Sequence, residues 1–214
     1  MKSTEVFISS SGPALEARLD LPDLPPPFPG VLICHPHPLY GGNMNNNVVI
    51  GVGNCLVKKG FAVLRFNFRG VGRSEGTFDE GNGEQDDARA CLKFLLEREE
   101  IDPERIGLVG YSFGGMIALS VGVREDAVRV MAGISPIMPK DILKGCNKPK
   151  IIFSGTEDNM VPSRLILQET KKAGEHTEIK VIDDADHFWW GYERQLGEMV
   201  AAFFADNFSN AGEQ

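Results

Sequence analysis

The sequence lacks the features that would assign it to a membrane or to an oxidising compartment. It has no run of about 18 apolar residues, which is the length that a membrane-spanning helix requires. Residues 1–5 lead directly into an alternating strand pattern, without the apolar stretch of a signal peptide. The four cysteines are widely separated and three lie in apolar stretches, which predicts buried free thiols. We therefore expect a cytoplasmic protein that has no membrane partner.

Positive charge is also scarce. The chain has 22 Lys and Arg against 30 Asp and Glu, a net charge of −8, and its basic residues form no block. Binding to nucleic acid or to an anionic membrane surface usually depends on such a block. The composition therefore argues against both partners, and we expect a small-molecule substrate. Nothing in the sequence indicates an oligomeric state.

The spacing of apolar residues indicates the fold class. The 214 residues can bury a substantial core, and we expect a single domain over residues 1–214. Short β-branched runs alternate with amphipathic segments, which indicates an α/β fold with helices on both faces of a mostly parallel sheet. About eight strands, the second of them antiparallel, are predicted at 5–9, 14–21, 30–34, 62–66, 106–109, 128–134, 150–153 and 178–182. Helical segments are predicted at 45–59, 83–100, 112–123, 140–144, 162–173 and 190–208, and a turn at 10–13.

The most informative motif is G-Y-S-F-G at 110–114, which follows an apolar strand and precedes a helical segment. A sharp turn from strand to helix would hold Ser112 at its apex in a strained backbone conformation. Such a turn needs residues with almost no side chain on either side, and Gly110 and Gly114 meet that need. The motif predicts that Ser112 is a nucleophile.

A serine hydroxyl needs a base within hydrogen-bond reach, usually a histidine oriented by a carboxylate. Among the histidines, His187 is favoured because it follows the last strand across a polar loop. Its alternative role is to cap the final helix. The other histidines are less well placed: His35, His37 and His176.

Asp158 is the favoured carboxylate because it lies in a polar loop between an apolar strand and a helix. Its alternative role is to stabilise that turn. Other acidic residues near the same sheet edge remain candidates: Glu157, Asp184 and Asp186.

The chain order Ser112, Asp158, His187 and the motif at 110–114 resemble the α/β-hydrolase superfamily over nearly the whole chain. The stretches CHPHPLYGG at 34–42 and FNFRGVGRSEG at 66–76 are similar to a small cap-free bacterial branch that includes dienelactone hydrolase and serine esterases. Dienelactone hydrolase has a cysteine nucleophile, so the serine at this position argues against its lactone substrate. Only about fifteen residues separate the strands at 128–134 and 150–153, too few for a helical lid.

The resemblance implies an oxyanion hole made of two backbone N–H groups. One belongs to Phe113, which follows the nucleophile. The other comes from the loop after the first parallel strand, where Pro36 and Pro38 have no N–H to donate. His37 is therefore the favoured donor, and Leu39 or Tyr40 would replace it if the loop were shifted.

Aromatic residues near these positions are candidates for the substrate pocket: Tyr40, Tyr111, Trp189 and Trp190. The two tryptophans could equally pack the last helix on the sheet. A structural ion pair is expected between Arg69 and either Asp86 or Asp87. His35 and His37 have no third ligand at clear spacing, so we expect no metal.

The sequence therefore predicts a serine hydrolase that cleaves small carboxylic esters through an acyl-enzyme and needs no cofactor. A thioesterase or a small peptidase would use the same residues. A ligand-binding protein without turnover remains an alternative from another class.

Overall fold

The computed structural model of the chain describes residues 1–9 and 12–209. Its strands are β1 (Lys2–Ile8), β2 (Leu15–Leu21), β3 (Phe28–Cys34), β4 (Ala62–Phe66), β5 (Ile101–Tyr111), β6 (Val128–Ile134), β7 (Lys150–Gly155) and β8 (Thr177–Ile182). Its α-helices are α1 (Asn47–Lys58), α2 (Asn82–Leu96), α3 (Phe113–Arg124), α4 (Ser163–Thr170) and α5 (Glu193–Ser209). The predicted turn at 10–13 falls partly outside the described residues.

The strands form one sheet in the order β1-β2-β4-β3-β5-β6-β7-β8. Strand β2 pairs antiparallel with both β1 and β4, and every pair from β4 to β8 is parallel. The predicted α/β fold with an antiparallel second strand is therefore confirmed. Because the parallel strands share one direction, the loops at their carboxyl ends meet along one edge of the sheet.

Apolar side chains cover the two faces of the sheet in separate clusters. One cluster includes buried residues of α2, α3 and α4, and the other includes those of α1 and α5. Burial on both sides explains why the central strands show unbroken apolar runs instead of alternation. Cys34, Cys91 and Cys146 are buried and, like Cys55, unbridged, as the sequence predicts. No helix among residues 1–9 and 12–209 has the length and apolarity to cross a bilayer.

Three of the differences from the predicted elements have a local reason. Residues 140–144 form turns, because Asp141 adopts φ +61°, a left-handed value that interrupts a helix. The described chain thus has five α-helices instead of six. Helix α5 begins at Glu193 because Trp189 and Gly191 also have positive φ. Strand β5 begins at Ile101, before a polar segment that hides its start in the sequence pattern.

The predicted ion pair at Arg69 forms with Asp87. The guanidinium Nη2 lies 2.7 Å from Oδ1 of Asp87, and the Arg69 amide donates to Oδ2 at 2.9 Å. Asp87 belongs to α2, whereas Arg69 lies in the loop after β4. The pair therefore anchors this loop near the edge of the sheet where the carboxyl ends meet.

Candidate active site

Ser112 lies at a tight turn between β5 and α3. Its backbone angles are φ 57° and ψ −116°, a conformation that non-glycine residues rarely adopt. A Cβ at Gly110 would overlap the carbonyl oxygen of Gly114, and a Cβ at Gly114 would overlap those of Cys34 and His35. The turn thus requires both glycines, and it presses the start of α3 against the loop after β3.

Three side chains from separate loops meet at this turn. Nε2 of His187 lies 3.0 Å from Oγ of Ser112, and Nδ1 of His187 lies 2.8 Å from Oδ2 of Asp158. All three residues are at least 94% buried, with exposures of 6%, 5% and 4% for Ser112, His187 and Asp158. This line of hydrogen bonds can pass the hydroxyl proton to the imidazole while the carboxylate holds the ring.

The Asp158 carboxylate is held in its ionised form. Its Oδ1 accepts the amide N–H groups of Met160 at 3.0 Å and Val161 at 2.8 Å. Burial raises the pKa of Asp158, whereas the hydrogen bonds from His187 and the Val161 amide lower it, and the Ser135 hydroxyl adds to this lowering. The net pKa lies below the ordinary value. The charged carboxylate can therefore only accept, which requires that Nδ1 of His187 carries the proton.

The loop that carries His187 is tied to the sheet and to α1. The hydroxyl of Tyr111 donates to the carbonyl oxygen of His187. Nδ2 of Asn47 donates to the carbonyl oxygen of Phe188 at 3.2 Å. Oδ1 of Asp186 accepts the amides of Phe188 and Trp189. Backbone groups on both sides of the imidazole are thus fixed, so the ring can hold its orientation without substrate.

The loop after β3 leaves one of the predicted oxyanion donors free. The Leu39 amide donates to Nδ1 of His37, and the Tyr40 amide to the His37 carbonyl oxygen. Within the described chain, no hydrogen bond outside helices and strands uses the amide of His37 or Phe113. Phe113 is the first residue of α3, so its amide has no partner inside the helix. The rings of His37 and Phe113 lie 4.9 Å apart, which places the two residues side by side.

His35 does not reach Ser112 and instead joins two loops. Its Nδ1 donates to the Pro36 carbonyl oxygen at 2.6 Å, and its Nε2 accepts the Phe68 amide at 3.0 Å. These two bonds require the neutral ring, and complete burial lowers the pKa of His35 to about 4. The hydrogen bond to Pro36 opposes this shift without reversing it. His176, the remaining histidine, is exposed.

The buried His35 predicts a loss of stability in mild acid. The unfolded ring takes up a proton near its ordinary pKa of 6.5, whereas the folded ring resists until about pH 4. The stabilisation is therefore complete above pH 6.5 and is lost as the pH falls toward 4. Between pH 7.5 and 5 we expect His35 alone to lower the free energy of unfolding by about 2 kcal/mol. Urea unfolding at the two pH values measures this loss.

Two histidine variants test whether His35 causes this loss of stability. The His35→Gln variant should be less stable at pH 7.5 but lose about 2 kcal/mol less on going to pH 5. The control variant His176→Gln alters an exposed ring and should keep the wild-type pH dependence. Equal pH dependence in all three proteins would contradict the assignment.

A cavity of about 460 Å³ opens above Ser112. Of the described residues, sixteen line it, and none is Asp, Glu, Lys or Arg. They are Pro36, His37, Tyr40, Gly41, Gly42, Asn46, Tyr111, Ser112, Ile137, Met138, Met160, Val161, Leu165, Ile166, His187 and Phe188. Tyr40 and Tyr111, two of the candidate pocket residues, are among them.

The structure places neither predicted tryptophan in the cavity wall. Trp189 is fully buried against the α1 and α5 face, where Nε1 donates to Oγ of Ser135 at 3.1 Å, and Trp190 is 69% exposed. Trp189 has a positive φ of 57° and is separated from His187 by Phe188. Ser135 was not predicted, although it directly follows β6 at the same edge of the sheet from which the other candidate residues were chosen.

Within residues 1–9 and 12–209, no three His, Cys, Asp or Glu side chains are grouped as a metal site would require. Both ring nitrogens of His35 are engaged in hydrogen bonds, so the H-x-H sequence does not form a ligand pair.

Comparisons with known proteins identify the family of the chain. Residues 31–145, more than half of the chain, match the family model described as the alpha/beta hydrolase fold. An uncharacterised protein of Rickettsia prowazekii is 37% identical over 175 residues, which cover 77% of this chain and 73% of that protein.

Two solved structures are similar over almost the whole chain. One, described as an alpha-beta serine hydrolase homologue from Coxiella burnetii, is 30% identical with a TM-score of 0.85, over 94% of this chain and 97% of that one. The other, a serine hydrolase without lid from Xanthomonas campestris, is 26% identical with a TM-score of 0.83, over 96% and 94%. The family match, the Rickettsia relative and the eight-stranded sheet together establish that this chain belongs to the α/β-hydrolase family.

Proposed function

We propose that this hydrolase cleaves small carboxylic esters through an acyl-enzyme formed on Ser112. The observation that carries the proposal is the continuous hydrogen-bonded line from Oγ of Ser112 through His187 to Asp158, at 3.0 and 2.8 Å. Ser112 and His187 line an open cavity, where a carbonyl carbon can approach the hydroxyl. The arrangement supports nucleophilic catalysis by a serine with a general base.

In the first step, Oγ of Ser112 attacks the ester carbonyl carbon while Nε2 of His187 takes the hydroxyl proton. His187 then carries a positive charge, which the Asp158 carboxylate stabilises through Nδ1. The carbonyl oxygen becomes an oxyanion. The amides of Phe113 and His37, which are free to donate, would bind it there.

The tetrahedral intermediate collapses when its bond to the alcohol oxygen breaks. Nε2 of His187 donates its proton to that oxygen, and the alcohol leaves. Water then enters, loses a proton to Nε2 and attacks the acyl carbon. A second collapse returns the proton to Oγ of Ser112 and releases the carboxylic acid. The cycle consumes one ester and one water and needs no cofactor.

The proposal is tested with p-nitrophenyl esters from acetate to decanoate, measured by release of p-nitrophenolate. We expect turnover that falls at the longer chain lengths, together with labelling of Ser112 by a serine-reactive phosphonate, located by peptide mass spectrometry. Saturable binding of esters without turnover or labelling would contradict the proposal and favour a ligand-binding protein. Turnover of thioesters or peptides alone would favour the other hydrolase alternatives.

A further inference from the structure

The charge of the cavity wall restricts what the site can bind. A substrate that carries a carboxylate beside its ester would meet no cationic side chain in the wall, because none of the sixteen lining residues is Lys or Arg. The net charge of −8 makes the surrounding field unfavourable to anions as well. Transfer of an unpaired charge from water to such a wall is costly.

The residues of the cavity wall come from both faces of the sheet. Met138, Val161 and Ile166 belong to the apolar cluster on the α2, α3 and α4 side. Leu165 is next to Ile166 on α4 and is 47% exposed at the cavity wall. We name Met138, Val161, Leu165 and Ile166 the α4 lobe. It is wholly hydrocarbon and thioether, with no polar side chain.

The loop that carries His187 is anchored on the other face of the sheet, and Nε2 of His187 points toward Ser112, away from the Asp158 carboxylate. Its neighbour Tyr111 packs in the cluster on the α1 and α5 face, and the carbonyl of Phe188 accepts a hydrogen bond from Asn47 of α1. The Phe188 ring lies 6.0 Å from the His187 ring. Since Nε2 of His187 must donate its proton to the leaving oxygen, the alcohol part of the ester lies beside His187. The acyl part then extends toward the α4 lobe.

We propose that the α4 lobe binds the acyl chain and that the substrates are esters of uncharged aliphatic acids, with dicarboxylic half-esters excluded. This inference rests on the proposed function and specifies its substrate class. The chain is held by burial of its methylene groups against Val161, Leu165 and Ile166. A terminal carboxylate on the same chain loses water without gaining a partner.

The experiment compares two esters that differ only in the end of the acyl chain, p-nitrophenyl hexanoate and mono-p-nitrophenyl adipate. Both have six acyl carbons and the same leaving group. We expect kcat/KM for hexanoate to exceed that for adipate by about 10- to 100-fold at pH 7.5 in the wild type. In Leu165→Arg this ratio should fall at least about tenfold, because a guanidinium at the lobe can pair with the carboxylate.

Two control variants test whether the effect of Leu165→Arg comes from a positive charge at the lobe, and not from loss of the leucine or from added charge elsewhere on α4. Leu165→Gln replaces the same side chain without adding charge and should not improve adipate turnover. Gln168→Arg adds the same charge at an exposed position of α4 outside the cavity wall and should keep the wild-type ratio. Circular dichroism checks that every variant is folded.

The outcomes distinguish this inference from the proposed function. Equal kcat/KM for the two esters in the wild type would overturn the uncharged-acyl specificity but leave serine esterase activity intact. An unchanged ratio in Leu165→Arg would overturn the placement of the acyl chain. If neither ester is turned over in a reaction that depends on Ser112, the proposed function itself is overturned.

Discussion

Replacing Ser112 with alanine is expected to lower kcat on p-nitrophenyl butyrate by about 10⁵- to 10⁶-fold. The substitution removes the hydroxyl that is proposed to form the acyl bond, whereas the hydrogen bonds of the Ser112 backbone to Ile134, Met116 and Ile137 remain. Residual hydrolysis would come from water attacking an ester held in the cavity. Stopped assays at high enzyme concentration, with background hydrolysis subtracted, measure the loss.

The loss must be separated from damage to the fold. Ser120→Ala is the matched control, since Ser120 lies in the same helix α3 and outside the cavity wall. It should retain wild-type kcat within about twofold. For Ser112→Ala the free energy of unfolding should stay within about 1 kcal/mol of the wild type. Substantial ester turnover by a folded Ser112→Ala protein would rule out Ser112 as the nucleophile.

Replacing Asp158 with asparagine is expected to lower kcat by about 10⁴-fold. The amides of Met160 and Val161 both donate to Oδ1 of Asp158, so the oxygen of the asparagine must occupy that position. Its NH₂ group then faces Nδ1 of His187 and donates to it. This bond moves the ring proton to Nε2, where the ring can no longer accept the proton of Ser112.

Glu157 provides the control for this variant because it is the adjacent acidic residue and its side chain is exposed. Glu157→Gln should keep kcat within about twofold. In Asp158→Asn the structure of the loop should persist, because both amides retain their acceptor. A loss of activity in Glu157→Gln that matched the loss in Asp158→Asn would contradict the assignment of the carboxylate.

The candidate residues chosen from the sequence share a common position in the topology. Ser112, Asp158 and His187 each follow a parallel strand (β5, β7 and β8), so the topology brings them to one edge of the sheet. The fold class could be predicted for a similar reason, since unbroken apolar runs arise when a sheet is covered on both faces. Pro36 and Pro38 have no N–H, which makes His37 the favoured donor from the sequence, and the amides of Leu39 and Tyr40 both donate to His37 in the structure.

The residues that could not be predicted depend on packing between distant segments. Met138, Val161 and Ile166 look like ordinary core residues, and only the way α4 lies against the sheet brings them to the cavity. Trp189 is buried and has a positive φ, a local conformation that a tryptophan rarely adopts and that no sequence pattern signals. Such features appear only once side chains are placed in three dimensions.

The contrast between the two tryptophans has an optical consequence. Trp189 is fully buried with its indole N–H bonded to Ser135, whereas its neighbour Trp190 is mostly exposed, and the chain has no other tryptophan. A shielded indole emits at shorter wavelength than a solvated one and resists aqueous quenchers. The fluorescence spectrum should therefore contain two components, and acrylamide should quench the longer-wavelength component, from Trp190, first. The blue component then reports on the segment two residues beyond His187, and its shift to the red would reveal loosening of the site before the whole chain unfolds.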